Sequence, residues 1–486
     1  MLQPTKELAL KQYSGYRAIP LYQTLEIGEL TPLAVFEKLK AHSRHCFILE
    51  SASETGERGR YTFLGYDPKL LITAEEGEIF VKNGTEIKAS SRNPGEFVAG
   101  IIDDWRSPKL EGLPPFTGGL VGYFSYEFSK YAEPSLRFTK NNRHFCDMDL
   151  MLFDKVLAFD SENELIYIIV NFKTDYFEEN YNRAALELAS IRSIIFEGEA
   201  ASIPPLKLEG EFTATHSRER YSAMVERAKH HIVEGDIFQV VLSNRFSAKA
   251  SGSIYEVYKG LRHSNPSPYM FFFSGERLEV AGSSPETLCR LNNGKVYTYP
   301  LAGTRKRGGT EAEDLQLERE LLLDEKELAE HNMLVDLGRN DLGRVSRFGS
   351  VKVTKYMDIL RFSRVMHIGS EVEGELRPEL NAVDVLSSVL PAGTLSGAPK
   401  IRAMQLIDEL EDDSRGLYGG GVGYISMNGD MDVCIAIRIA YMIDGEVTVR
   451  AGAGIVADSV PENEYTECRN KAGAVIDAVL KAGGKA

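Results

Sequence analysis

The sequence predicts an α+β architecture with largely antiparallel sheet, because hairpins follow one another with strongly helical stretches between them. LCRLNNGKVYTYP reads as a hairpin through Asn293-Gly294, the residue pair that tight strand reversals favour. VGYISMNGDMDVCIAIRIAYMIDGEVTVRAGAGIV reads as a meander turning at Asn428-Gly429 and Asp444-Gly445. MLFDKVLAFDSENELIYIIVNF reads as a hairpin around Asp160 to Glu164, and CFILES, RYTFLGY and LLITAEEGEIFVKNG are shorter β-prone runs. Phe177, Tyr181, Ala184, Leu188, Ile191 and Ile195 recur at helical spacing. So do Tyr221, Val225, Ala228 and Ile232, with Gly235 placed to end that helix. Between the two helices, residues 197–211 (EGEAASIPPLKLEGE) carry neither period. That segment predicts a boundary between an N-terminal region, 1–200, and a C-terminal domain, 212–486.

Composition excludes several functions. With 56 basic against 71 acidic residues, the 486-residue chain has a formal net charge of −15 and no basic tract. Nucleic acid is therefore an unsuitable partner, since phosphate neutralisation needs clustered Lys and Arg. An anionic ligand would have to be held by local positive charge or a metal. Cys46, Cys146, Cys289, Cys434 and Cys468 are scattered and never spaced C-x-x-C, which suits a reducing cytoplasm better than disulfides or zinc. The N-terminus lacks the apolar core of a signal peptide, and no apolar run is long enough to span a membrane. The expectation is a soluble cytoplasmic protein.

Carboxylates on two stretches stand out. Glu327 and Glu330 in DEKELAEHNMLVDLGRND are three residues apart, as are Glu464 and Glu467 in VPENEYTECRNKAGAVIDAVL. Each pair shares one face of a helix turn; spacing alone describes a solvated face equally well. Four carboxylates brought together would repel unless a cation neutralised them, and an all-oxygen set selects a hard ion such as Mg²⁺. Arg438 is the second unusual residue. Read as one strand, Val433–Ala440 puts Val433, Ile435, Ile437 and Ile439 on a core face and Cys434, Ala436, Arg438 and Ala440 on the other. A guanidinium among small side chains can take a carboxylate ligand in two-pronged fashion, or be buried against an internal acid. Glycine-rich loops at 301–305, 391–400, 419–424 and 451–456 match neither a Walker loop nor a dinucleotide fingerprint.

GTRKRG, ELAEHNMLVDLGRNDLGRV, VMHIGS, PAGTLSGAPKIRAMQLIDELE, GGGVGY, AIRIA and AGAGIVADSVPENEYTECRNKA together resemble the chorismate-utilising enzymes, from about residue 215 to the C-terminus. Within them the sequence is most similar to the anthranilate synthase component I family, and FILESASETGERGRYTFLG and NPSPYMFFF extend the likeness. The resemblance implies antiparallel sheets packed in a sandwich with helices outside. It implies amination of chorismate by ammonia, with loss of the C4 hydroxyl and then of pyruvate, to give anthranilate for tryptophan biosynthesis. Two positions discriminate among relatives. Ala302 stands where 4-amino-4-deoxychorismate synthases carry a nucleophilic Lys. Gln239 stands where isochorismate and salicylate synthases carry a Lys base, which water needs and ammonia does not.

The resemblance also assigns roles. Mg²⁺ falls to Glu327, Glu330, Glu464 and Glu467, Glu286 protonates the departing hydroxyl, and His367 assists proton removal. Arg438 and Tyr418 grip the enolpyruvyl carboxylate, with Gly303, Thr304, Gly454 and Lys400 as further substrate contacts. Glu50, Ser51, Asn265, Pro266, Pro268, Tyr269, Met270 and Cys434 match positions around a tryptophan inhibitor, though packing between the two halves would also account for them. Cys434 and Arg438, read on one strand face, would link the two sites. None of the five cysteines is flanked by Gly, so ammonia is expected from a glutamine amidotransferase partner, in a heterotetramer. A catalytically silent tryptophan-binding subunit is the alternative from another class.

Overall fold

The structure, a computed structural model, describes residues 2–52, 59–83, 85–90, 93–140, 145–362 and 365–484. Residues 53–58 of the FILESASETGERGRYTFLG segment lie outside the described residues. Two antiparallel sheets, of 13 and 12 strands, pack face to face. The first runs from Ala18–Glu26 through Cys46–Glu50, Tyr269–Ser274, Leu278–Ser284, Ile439–Ile443 and Glu446–Ile455 to Gln239–Ser251. The second includes Leu301–Lys306, Val365–Glu375, Thr287–Asn292, Met431–Ile435, Gly421–Ser426 and Gly119–Phe124.

Three apolar layers hold this sandwich together. One lies between the sheets and gathers Phe47, Phe63, Phe153, Phe271, Phe273, Val422 and Cys434. A second lies under helices including Phe177–Glu197, Arg218–Val233, Lys400–Leu410 and Pro461–Ala482. The third lies under Pro94–Asp104, Glu325–Gly343 and Ala382–Val389. The apolar run YMFFFS follows directly from this layering. Phe271 and Phe273 point to the opposite sheet, while Met270 and Phe272 point to the helices, so both faces of one strand are buried. Phe47 lies over Gly65 on the paired strand and Phe271 over Gly282. A Cβ on either glycine would come within 2.1 or 2.2 Å of the ring, so the aromatic fills the space that glycine leaves.

The predicted helices and turns are present: Phe177–Glu197, Arg218–Val233 with Gly235 at φ +82°, and reversals at Asn293-Gly294 and Asp444-Gly445. Strands on either side of residues 197–211 share both sheets. Cys46–Glu50 pairs with Tyr269–Ser274, and Gly119–Phe124 pairs with Gly421–Ser426. The meander needs correction. Gly421–Ser426 and Met431–Ile435 belong to the second sheet, Ile439–Ile443 and Glu446–Ile455 to the first. Residues 436–438 cross between them, with Arg438 in the left-handed region at φ +51°. Val433–Ala440 is thus not one strand, and Cys434 and Arg438 share no strand face. The reason lies in the partners: Val433 pairs with Cys289 and Gly423, whereas Ala440 pairs with Ala281 and Val449.

Truncating an intersheet ring tests this packing. Phe47 is fully buried with its ring 4.7 Å from that of Phe153. Phe47→Ala is expected to cost about 3–5 kcal/mol, read as a lowered denaturant midpoint at unchanged slope.

Candidate active site

Two crossings between the sheets run side by side and carry the central residues. Ser284 ends a strand of the first sheet and Thr287 begins one of the second, so Pro285 and Glu286 bridge the gap. Next to them passes the 436–438 crossing. Ser283 N–H donates to the Arg438 carbonyl at 3.1 Å, and Ile435 N–H donates to the Glu286 carbonyl at 2.9 Å. At a crossing the backbone leaves the ladder, and its side chains are released into the space between elements.

Glu286 accepts from the Thr394 hydroxyl at 3.0 Å. Burial of its carboxyl pushes the pKa up to about 7, against the pull of that hydroxyl and of the Arg438 and Lys471 charges. A carboxyl with this value is about half protonated at neutral pH and can give up a proton. His367 lies on Val365–Glu375 with Nδ1 2.9 Å from the Gly303 carbonyl and 3.0 Å from the Thr304 hydroxyl. A carbonyl only accepts, so Nδ1 carries the hydrogen and Nε2 keeps its lone pair. Burial holds this imidazole below its ordinary pKa; the Gly303 bond opposes that and the Arg438 charge adds to it. Gly303 itself sits at φ +66°, at a register shift between Ala302 and Thr304. A Cβ there would stand 3.3 Å from Glu327 Oε2.

Arg438 is exposed, and its charge acts on both Glu286 and His367. Among the described residues its guanidinium makes no ion pair. Protein packed around part of the side chain holds its pKa below the ordinary value, opposed by the Glu286 charge, while the residue itself stays exposed.

The four glutamates stand as two pairs. Glu327 and Glu330 are on Glu325–Gly343, whose first turn is capped by the Asp324 carboxylate. Glu464 and Glu467 are on Pro461–Ala482, which starts on a proline. Burial pushes Glu330 up, and the neighbouring Glu327 pushes it further; the Gln239 side chain bonds it and Lys471 pulls it down. Glu464 is raised by burial and by Glu467, and lowered by its bond to Ser459 and by Lys471 and Lys326. Each helix therefore lies in the other's field. Glu327 meets Arg305 Nη1 at 3.3 Å, and Glu467 meets Lys471 Nζ at 2.7 Å. Among the described residues no three His, Cys, Asp or Glu side chains form a ready metal cage. In kind the donors fit Mg²⁺, which takes carboxylate oxygens, retains waters and completes its shell from an anionic substrate.

Tyr418 is buried, with its hydroxyl 3.0 Å from where a Cβ on Gly452 would lie. Gly454 makes space: a Cβ there would fall 2.7 Å from Gln239 Nε2. Lys400 is occupied elsewhere, bonding Asp341 at 2.7 Å and the Val389 carbonyl at 2.9 Å. Sequence reasoning missed Thr394, Lys471 and Arg305. Lys471 is four residues beyond Glu467 and seven beyond Glu464, a helical stripe that spacing could have revealed. Arg305 follows Thr304 in a strand whose alternation hides it; Thr394 is one hydroxyl in a glycine-rich loop, with nothing local to mark it.

A separate cavity of about 330 Å³ opens between the sheets, lined by Glu50, Ser51, Pro268, Tyr269, Met270 and Cys434 among others. Asn265 and Pro266 are not on its wall; the Asn265 carbonyl accepts from the Ser283 hydroxyl.

The chain matches the chorismate binding enzyme family over residues 44–477, and belongs to it. It is 43% identical to anthranilate synthase component 1 of Acetivibrio thermocellus, with 99% of each chain covered. It is 44% identical to the same component of Aquifex aeolicus, with 96% of each covered. The crystal structure of anthranilate synthase component I from Streptococcus pneumoniae superposes with a TM-score of 0.75 at 37% identity, over 93% of this chain and 98% of that one. Within the larger family the chain therefore belongs with the anthranilate synthase component 1 proteins.

The raised Glu286 carboxyl has a stability signature. The fold favours its protonated form, so this group costs stability as pH rises from its ordinary 4.5 toward about 7. Glu286→Gln removes that dependence. The variant's thermal midpoint is expected to gain on the parent's between pH 4.5 and 7, with the difference constant above.

Proposed function

We propose that the chain is the aminating subunit of an anthranilate synthase, converting chorismate and ammonia to anthranilate and pyruvate at the first step of tryptophan biosynthesis. The observation that carries this reading is the neutral acid–base pair: Glu286 poised at about 7 and His367 held neutral, both within the field of Arg438. Glu286 gives its proton to the C4 hydroxyl as it departs. Arg438 binds the enolpyruvyl carboxylate, and His367 Nε2 accepts a proton as pyruvate leaves. Tyr418, whose hydroxyl lies beside Gly452, is proposed to share that carboxylate. Gln239 is bound to Glu330 and offers no base to activate water, which favours ammonia as nucleophile. Glu327, Glu330, Glu464 and Glu467 would hold Mg²⁺, which when bound neutralises the substrate's ring carboxylate. Glu467 leaves Lys471, and Glu327 leaves Arg305, to take part. Lys400, already paired with Asp341, serves the pocket by joining the helices around it.

Ammonia comes from a glutamine amidotransferase partner. Burial pushes every thiol of this chain up, those of Cys46, Cys146 and Cys468 to about 12, which suits packing and not nucleophilic attack. The same free thiols fit a reducing cytoplasm. Among the described residues no helix is long and apolar enough to cross a membrane. The 330 Å³ cavity is proposed to take tryptophan as feedback inhibitor: its aromatic and proline walls suit an indole. Ala302, which cannot act as a nucleophile, argues against the 4-amino-4-deoxychorismate alternative.

Two outcomes check the reading. Purified chain with chorismate, Mg²⁺ and ammonium is expected to form the ortho aminobenzoate by fluorescence and chromatography, and none from glutamine alone. The para isomer, or glutamine-dependent turnover without a second subunit, would refute it. Ser51→Phe, which fills the cavity wall, is expected to abolish tryptophan inhibition at unchanged uninhibited rate; full inhibition would remove Ser51 from the effector site.

A further inference from the structure

Behind the pocket lies a set of charged groups with almost no access to water. Glu411, Arg415 and Arg450 are each 1–2% exposed, and Glu127 is 4% exposed. Arg415 donates through Nε and Nη2 to both oxygens of Glu411, at 3.0 and 2.5 Å. Its remaining hydrogens reach the Leu395 carbonyl at 2.5 Å and the Val241 carbonyl at 2.7 Å. The guanidinium lies 4.7 Å from the Tyr126 ring and 5.8 Å from the Tyr418 ring. Arg450 donates to the second Glu411 oxygen at 2.7 Å and to the Ser243 hydroxyl at 2.8 Å. Ser243 in turn bonds Glu411 through N–H and hydroxyl. Glu127 accepts from the Arg415 and Gly416 N–H groups at 2.8 and 3.0 Å.

Four backbone segments that carry site residues are tied to this centre. Val241 and Ser243 lie on the strand of Gln239, Arg450 on the strand of Gly454, Arg415 three residues before Tyr418, and Leu395 immediately after Thr394. Removing three charges from water is unfavourable unless hydrogen bonding is nearly complete, as it is here. Arg415 alone is bound to two backbone carbonyls and one carboxylate, which few residue types could replace.

We propose that Arg415 is a positioning residue of the active site: by holding the Leu395 carbonyl and the Tyr418 ring, it sets the Thr394 hydroxyl against Glu286. Thr394 donates to Glu286 and favours its ionised form. If the loop 391–400 drifts, Glu286 loses that donor and its proton is held to higher pH. The charged groups facing Glu286 are Arg438 and Lys471, and Asp341, paired to Lys400, lines the small cavity beside it. None of these touches Arg415.

The inference rests on Glu286 being the acid, and the test separates the two. Arg415→Lys keeps the charge but loses the fork. The expected result is a native circular dichroism spectrum, a kcat lowered roughly tenfold or more, and an alkaline limb of kcat moved to higher pH. Thr394→Val is expected to move the limb the same way, and the double variant no further than either. Ser243→Ala loosens Glu411 and Arg450 without removing a charge; should Arg415→Lys not fold, it is expected to give the same displaced limb in milder form. An unmoved limb in every folded variant of the network overturns the inference. So does a double variant whose displacement is the sum of the two, because Arg415 would then act on the acid by a route other than Thr394. An alkaline limb that survives Glu286→Gln unchanged instead refutes the assignment of the acid.

Discussion

Passage between two facing sheets is the constraint on which the rest of the molecule depends. A chain that contributes strands to both must leave one ladder and enter the other, and its backbone there has no strand partner. Between Ser284 and Thr287 and between Ile435 and Ile439 it makes that passage side by side, the two crossings bonded to each other through backbone groups. Glu286 and Arg438 emerge at these points, Arg438 with a backbone angle that strands do not allow. Side chains on regular strands are claimed by one apolar layer or another, as the alternation in Tyr269–Ser274 makes plain. Where the ladder breaks, Glu286 and Arg438 are freed from those layers.

Electrostatics at this point reverses the character of the whole protein. The chain carries a formal −15, yet the groups nearest the crossing are arranged to withhold negative charge. Burial keeps Glu286 about half protonated at neutral pH and favours the uncharged form of His367, with Arg438 acting on both and Lys471 on Glu286. An anionic substrate bound there would meet the Arg438 charge, and the acidic surface beyond it is screened within about 8–10 Å at physiological salt. The same desolvation raises the carboxyl and lowers the imidazole, which would let the proposed acid and base take distinct roles at one pH.

Much of this could be read from the sequence, for identifiable reasons. The hairpins at Asn293-Gly294 and Asp444-Gly445 were legible because positive backbone angles demand those residues. The helix of Tyr181, Ala184, Leu188, Ile191 and Ile195 was legible because its buried stripe keeps strict period. The glutamate pairs follow from the same period. The crossing at 436–438 was hidden because both faces of the flanking strands are buried, so apolar alternation continues through a segment that is not strand. Thr394 and Arg415 were hidden for a different reason. The partner of Thr394 is more than a hundred residues distant, and the carbonyls held by Arg415 leave no local pattern, while its spacing of four from Glu411 reads as an ordinary charge pair.

Loss of the single Cys434–Arg438 strand does not separate the proposed effector cavity from the acid; it changes what joins them. Tyr269, on the cavity wall, bonds through its hydroxyl to the Thr287 hydroxyl at 2.8 Å and to Asp432 at 2.7 Å. Thr287 is the residue after Glu286. Cys434, on the same wall, precedes Ile435, whose N–H holds the Glu286 carbonyl. Two short connections therefore run from the cavity to the backbone on either side of the acid. A ligand that displaced Tyr269 would act on Glu286 through one hydroxyl contact and one peptide unit. Energetic coupling still requires that the crossing have two arrangements of differing affinity. An irregular passage between sheets, with few ladder bonds to break, is the part of this fold where a second arrangement costs least.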